Sequence, residues 1–525
     1  MTQCQLDDHD ARFDLPRQLV RIDESHLLID ASLIRLLPRV DRTVITYVYE
    51  PACLSRLNLP AFEFGEAVNR LPHVVNRRDL LRIGAAGVVG SALPFTYAPT
   101  AKAADGVARA KSVLMVVLSG GLSQLDTLDM KPDAPVEIRG EFSGIDTSVP
   151  GIRVCEHLPR LAQQMKHWSI IRSLSHLEHN HLLAMHVALT GRPTPIPRGA
   201  SDLDRVESRN DFPNFAAALD VLRPRNDGIP NGVSLPNYFI EGPLTWPGQY
   251  SGFLGPKHDP WQINQDPNDP NFRIDSLSLQ PGLTSSRLVS RRSLLEGIND
   301  ASGRDSGGRT NSFTEQQEIA FSLLTSDRVA KAFQIQSEDQ ETRDRYGRNK
   351  FGQSLLLSRR LIEAGVPIVQ AAMGIVQTWD THVDNWGRMK NVLLPDLDKG
   401  LAALMEDLST SGLLEHTLVI VTGEFGRTPK VSTFGGAGLP GRDHWAHTYS
   451  GLFAGAGVRG GQVIGQSDAI AGYPMSRPWS PADVCTTIFD ALGVNHDATL
   501  LDPLGRMNHL LNGEVIEPLY TGAIA

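Results

Sequence analysis

Seven of the sixteen histidines in this 525-residue chain fall in three short windows: His176, His179, His181 and His186; His382; and His444 with His447. Each window follows an apolar run of strand character, and the last two gather several carboxylates as well. The middle window, "WDTHVDN", sets Asp380, His382 and Asp384 at alternate positions, and the last opens "VTGEFGRTPK" and closes "GRDHWAHT", with Glu424, Arg427, Asp443 and His444. Imidazole and carboxylate together are the ligand types of zinc and manganese, and with more oxygen those of magnesium and calcium. The expectation is one divalent cation held by Asp380, His382, Glu424, Asp443 and His444, with His181 beside it in a catalytic or ligand role. Glu424 ends an apolar strand, where an unpaired carboxylate is costly to bury, so a cation or Arg427 must lie near it.

Other residues in these windows have plainer readings. His179, His186 and His447 read better as core or capping histidines. Asp384 reads better as a turn residue bonding loop amides. Arg427 and Arg442 are candidates for gripping a phosphate or sulfate in a guanidinium fork, and surface ion pairs are their alternative. Upstream, "LSGGLSQLDTLDMKP" offers Gly120 and Gly121 for close backbone approach and Ser123, Asp126 and Asp129 as polar groups, which makes Ser123 a candidate substrate contact. It has no nucleotide-cradling Gly pattern.

Strand ends must position these groups. "SVLMVVLSGG", "WSIIRSLSH", "VPIVQAAMG" and "TLVIVTG" read as buried strands, alternating with helical stretches such as "HLLAMHVALTG", "PNFAAALDVL", "FGQSLLLSRRLIEAG" and "LPDLDKGLAALMEDLSTSG". The alternation predicts an α/β fold, a mostly parallel sheet flanked by helices on both faces, with its site at the carboxyl ends of the strands. A late helix, "SPADVCTTIFDALG", carries Ser480 as N-cap, Pro481 at N1 and Asp483 at N3, close to a capping box. Between about residues 224 and 312 Pro, Gly, Asn, Asp and Ser dominate, which marks a loop-rich insertion that either shapes access to the site or is plain solvated loop.

Composition narrows the partners. A hydrophobic content of 41% suits a large buried core, and a net charge of −9 without a long basic run argues against nucleic acid or an anionic membrane. Cys4, Cys53, Cys155 and Cys485 are far apart and lack CxxC spacing, which argues against a disulfide framework or a zinc–thiolate site. Residues 76–104, "NRRDLLRIGAAGVVGSALPFTYAPTAKAA", have paired arginines, a weakly apolar stretch and an AxA site, the layout of a signal for the twin-arginine export machinery. The apolar stretch is short of the roughly 20 residues a spanning helix needs, so an integral membrane protein is not expected. Residues 1–75 precede that signal, where an export address belongs near the free N-terminus; translation starting near Val74 or Val75 would explain them. The mature domain is then 105–525, periplasmic or extracellular.

Taken jointly, "SGGLSQLDTLDMKP", "RYGRNKFGQSLLLSRRLIEAGVPIV", "WDTHVDN", "GEFGRTPK" and "GRDHW" resemble the family called domain of unknown function 1501, over about Arg77 to Leu519. The resemblance implies a twin-arginine-exported bacterial protein with an alkaline-phosphatase-like core, grouped by fold with alkaline phosphatases and sulfatases. "HNHLLAMHVALTG" ends in the TG of the sulfatase motif, which puts His181 near the place of their cysteine, so formylglycine chemistry and a Ser or Thr nucleophile are both excluded there. In the same comparison His444 resembles the late ligand histidine of the superfamily, and Asp380 with His382 resembles its middle ligand pair. The function implied is an exported metal-dependent hydrolase of phosphate or sulfate esters, sulfated glycans among them, with a metal-bound hydroxide as nucleophile. The alternative is a non-catalytic envelope protein of the same fold that binds a glycan or another exported protein.

Overall fold

In the computed structural model, strand β1 (Ser112–Val117) is buried at every position, as an unbroken apolar run requires of a strand covered on both faces. The structure describes residues 107–193, 211–241, 244–274, 327–375, 378–433 and 438–522, with isolated positions 287, 290, 293 and 294, all inside one compact unit, Ala98–Ala525. Residues 1–104, which carry the expected N-terminal extension and export signal, lie outside the described residues. Among the described residues, no helix is long and apolar enough to cross a membrane.

The other strands of the main sheet are β2 (Ser169–Leu174), β3 (Gly232–Leu235), β4 (Trp261–Gln262), β5 (Ile368–Ala372), β6 (Thr417–Thr422), β7 (Tyr449–Ala454) and β8 (Gln462–Ile464). They lie in the order β8-β2-β7-β6-β1-β5-β3-β4. β1 pairs in parallel with β6 and β5, β3 and β4 continue in parallel, and β7 alone runs against its neighbours β6 and β2. Val117 is level with Thr422 on one side and Ala372 on the other, so three strands end together at one edge. The mostly parallel sheet expected from the sequence is therefore present. The stretch read as loop-rich also supplies β3 and β4, two strands too short to show in composition.

Side chains alternate across the sheet into two cores. Leu114 and Val116 face helices α3 (Lys350–Glu363) and α4 (Leu394–Thr410), while Val113, Met115 and Val117 face α1 (His181–Thr190), α2 (Phe215–Leu222) and α5 (Pro481–Ala491). Each fully buried Val, Leu or Ile there contributes on the order of 1.5–3 kcal/mol, which fixes the faces and hence where each strand end points. The helices start where side-chain caps permit. Asn180 accepts from Leu182 N and Leu183 N to open α1, Asn349 caps α3, and Ser480 with Asp483 forms the capping box anticipated for α5.

Candidate metal centre

Four segments converge beyond the shared strand edge. β2 leads into α1, whose first residue is His181; β5 is followed by Trp379, Asp380 and His382; β6 ends two residues before Glu424. The fourth is a short antiparallel ribbon that pairs Arg427 with His444 and Gly426 with Trp445. The ribbon explains why the acid at 424 and the histidine at 444 are spaced so widely: the intervening chain turns back on itself and delivers His444 to the edge that β6 has already reached.

Asp380 is the hub. Its Oδ1 lies 2.9 Å from His382 Nε2 and 3.1 Å from His444 Nε2, and its Oδ2 lies 3.5 Å from His181 Nε2. All three rings are anchored through their other nitrogen: His181 Nδ1 lies 2.7 Å from Glu424 Oε1, His382 Nδ1 2.6 Å from Asp443 Oδ1, and His444 Nδ1 2.7 Å from the carbonyl of His179. Carboxylates and carbonyls only accept, so in the neutral ring the proton sits on Nδ1 and the lone pair of Nε2 is left bare, the arrangement of a metal-ligating histidine. Three imidazoles thus present Nε2 towards one carboxylate.

A divalent cation fits this donor set. One ligand atom each from His181, Asp380 and His444 lies within 4.8 Å of the others. His181 Nε2 is buried without a hydrogen-bond partner, a cost that a cation would remove. With neutral histidines, Asp380, Glu424 and Asp443 against Arg427 leave two negative charges, which a divalent ion offsets. Burial alone would raise the Asp380 pKa, yet the surrounding His181, His382 and His444 imidazoles and the charge of Arg427 outweigh it and hold the carboxyl well below the usual carboxylate range. Burial likewise pulls His181 down, but hydrogen bonds and charges from Asp380 and Glu424 lift it to about 9. His444 is lowered by burial, with the charges of His181 and Arg427 adding to the effect. Without a cation, the proton that balances Asp380 therefore resides on His181.

The structure reassigns several expected ligands and contacts. Glu424 is fully buried and its oxygens are taken by His181 Nδ1 and by Gly120 N at 2.9 and 3.1 Å, so it stands behind His181 and does not face the candidate ion position. Asp443 stands behind His382 in the same way. Arg427 has no exposed surface: its guanidinium donates to the carbonyls of Gly120, Gly121, Trp379 and Arg442 and, at 2.5 Å, to Asp380 Oδ1. It positions Asp380 and has no free edge for an anion. Arg442 and Ser123, expected at the substrate, are also buried, and both bind Asp126: Arg442 Nε at 2.8 Å from Oδ2, Arg442 Nη2 at 3.2 Å from Oδ1, Ser123 Oγ at 2.5 Å from Oδ2. Asn385 and Trp386 donate to the same carboxylate, which makes a knot between the loop after β1 and the loop carrying His382.

Of the remaining histidines, His186 is buried with Nδ1 on the Arg192 carbonyl, and His179 accepts from Ala446 N. His176, given no role from sequence, donates from Nε2 to the Glu424 carbonyl at 2.6 Å and accepts at Nδ1 from Glu178 N. Burial pushes it down to about 4, so it is a neutral strut.

An α/β protein with an imidazole–carboxylate cluster at the carboxyl edge of its sheet is the class that the fold and the site define. Residues 110–520 match the family described as "Protein of unknown function (DUF1501)", and the chain belongs to that family. No curated protein matches it. Solved structures to which it is similar include Ps i-CgsB in complex with k-i-k-neocarrahexaose, at 11% identity and a TM-score of 0.37, over 78% of this chain and 76% of that one. Another is the phosphonate monoester hydrolase of Agrobacterium radiobacter, at 13% identity and a TM-score of 0.32, over 79% and 78%. A third is the alkaline phosphatase of the Antarctic bacterium TAB5, at 12% identity and a TM-score of 0.30, over 74% and 99%.

Proposed function

We propose that this protein is a metal-dependent hydrolase of phosphate or sulfate esters, exported by the twin-arginine route. The observation that carries the reading is the convergence of three Nε2 atoms on Asp380, each imidazole fixed from behind by an acceptor. His181, Asp380 and His444 would hold the ion, with His382 at their side. A divalent cation there supplies Lewis-acid polarisation of an ester oxygen and makes water acidic enough to attack near neutral pH.

The chain's own groups do the rest. Arg427 keeps Asp380 ionised and aimed, while Glu424 and the His179 carbonyl fix the tautomers of His181 and His444. Position 181, the first residue of α1, presents an imidazole bonded to Glu424, so that helix start offers neither a thiol nor a hydroxyl and water is the nucleophile this reading requires. Export rests on the paired arginines and AxA site of residues 76–104.

The test is elemental analysis of the purified chain together with hydrolysis of p-nitrophenyl phosphate and p-nitrophenyl sulfate, before and after chelation. About one bound divalent ion per chain and turnover lost with the ion support the reading. A chain that takes up no metal, or turnover indifferent to chelation, sinks it.

A further inference from the structure

Beside the metal centre stands a wall of four rings that the hydrolytic cluster does not use. His447 stacks on Tyr473 at 5.2 Å and 29°, Trp445 meets both of them edge-on at 4.9 and 5.6 Å, and His179 closes the group against Trp445 and His447. The wall is tied to the cluster through the backbone: Trp445 follows His444 in the ribbon, on the ribbon's other face, and the His179 carbonyl holds His444 Nδ1. We propose that Trp445, His447 and Tyr473 form a sugar subsite, so that the ester presented to the Asp380 cluster is one carried on a glycan. This rests on the hydrolase reading only for the word ester; the subsite itself is argued from the rings.

Three features favour a sugar. The wall reaches solvent, Tyr473 being 51% exposed with Trp445 and His447 half-buried, although large aromatics are normally drawn inward. It is pre-organised: Trp445 Nε1 donates to the Gly472 carbonyl at 2.6 Å and Ala446 N donates to His179 Nδ1, so little freedom remains to be lost on binding. Its chemistry is also two-sided. The ring faces are apolar, whereas the imidazole nitrogens of His447 and the phenol of Tyr473 have no hydrogen-bond partner among the described residues and lie at the edges. A pyranose matches that pattern, with C–H bonds on its face and hydroxyls around its rim. A hydrocarbon chain would leave the edge groups unmet. The wall has no Lys or Arg of its own to hold an anion, so it suits the sugar ring and leaves the ester to the cluster.

The experiment is calorimetry on the full chain in EDTA, which stops turnover, with sulfated hexasaccharides of a galactan and of a glucosaminoglycan, and with AMP as a stacking ligand that is not a glycan. At least one hexasaccharide should bind. Tyr473→Ala, at an exposed position, should weaken it about fivefold to tenfold, and Tyr473→Phe should stay within about twofold of wild type. No binding by either sugar, binding unchanged in Tyr473→Ala, or AMP bound more tightly than both would overturn the subsite. The two readings separate cleanly: sugar binding of this kind with no ester ever hydrolysed leaves the subsite standing and removes the hydrolase, while hydrolysis of small esters with no sugar binding does the reverse.

Discussion

The Nε2 atoms of His382 and His444 face each other at 2.9 Å. Their Nδ1 atoms are engaged by the Asp443 carboxylate and the His179 carbonyl, so as neutral rings they would point two bare lone pairs at one another. A cation relieves that repulsion. We therefore expect zinc or manganese, at about 100 times its dissociation constant, to stabilise the protein by about 2.7 kcal/mol. Asp380→Asn should abolish the rise in melting temperature; a variant that still responds like wild type would remove Asp380 from the ligand set.

Glu424 and Asp443 bond to imidazole nitrogens, behind the atoms that would hold an ion, so their loss should weaken the site without destroying it. Glu424→Gln and Asp443→Asn are expected to lower metal affinity about 10- to 100-fold. Competition titration with a coloured chelator measures this. Complete loss of binding in either variant would return that carboxylate to direct ligation.

Arg442→Met leaves Asp126 buried without its cation, with Ser123, Asn385 and Trp386 still pointing at it. Breaking a buried pair from one side costs about 3–5 kcal/mol. Urea unfolding should show a loss of that size, whereas Arg442 in a substrate-binding role would alter KM and leave stability unchanged.

Acid should weaken the fold through His176. Burial holds its pKa near 4 in the native state, against an ordinary value of 6.5, so the unfolded chain takes up the proton first as pH falls. Its contribution is complete above about pH 6.5 and is lost between there and about pH 4, on the order of 3 kcal/mol in all. Stability measured across that window should fall less steeply for His176→Gln; identical slopes would show that His176 does not drive the loss.

The sheet was legible in the sequence because β1 and β6 are apolar at nearly every position and buried at all six, so they could only be strands covered on both faces. The site windows were legible for a related reason: polar residues placed just after such runs, as at Asp380 and Glu424, must emerge at the strand ends. Which carboxylate meets the ion and which one backs a histidine was not legible, since both are acids following strands and only packing turns one inward. Charge likewise does not announce burial. Arg427 and Arg442 read as anion grips because nothing local shows four main-chain carbonyls around the first or a buried Asp126 beside the second. The ring wall was hidden for another reason: Trp445 and Tyr473 come from separate segments with no common period, and His179 and His447, each taken singly, read as core or capping histidines.

Arg427 ties together the chain after β1, the chain after β5 and the ribbon with a single planar group. Those segments therefore have no independent way to open. The cluster should persist until the sheet itself melts, and amide exchange at Gly120 and Arg442 should keep pace with that of the central strands, so the grouping around Asp380 would be lost in one step with the architecture.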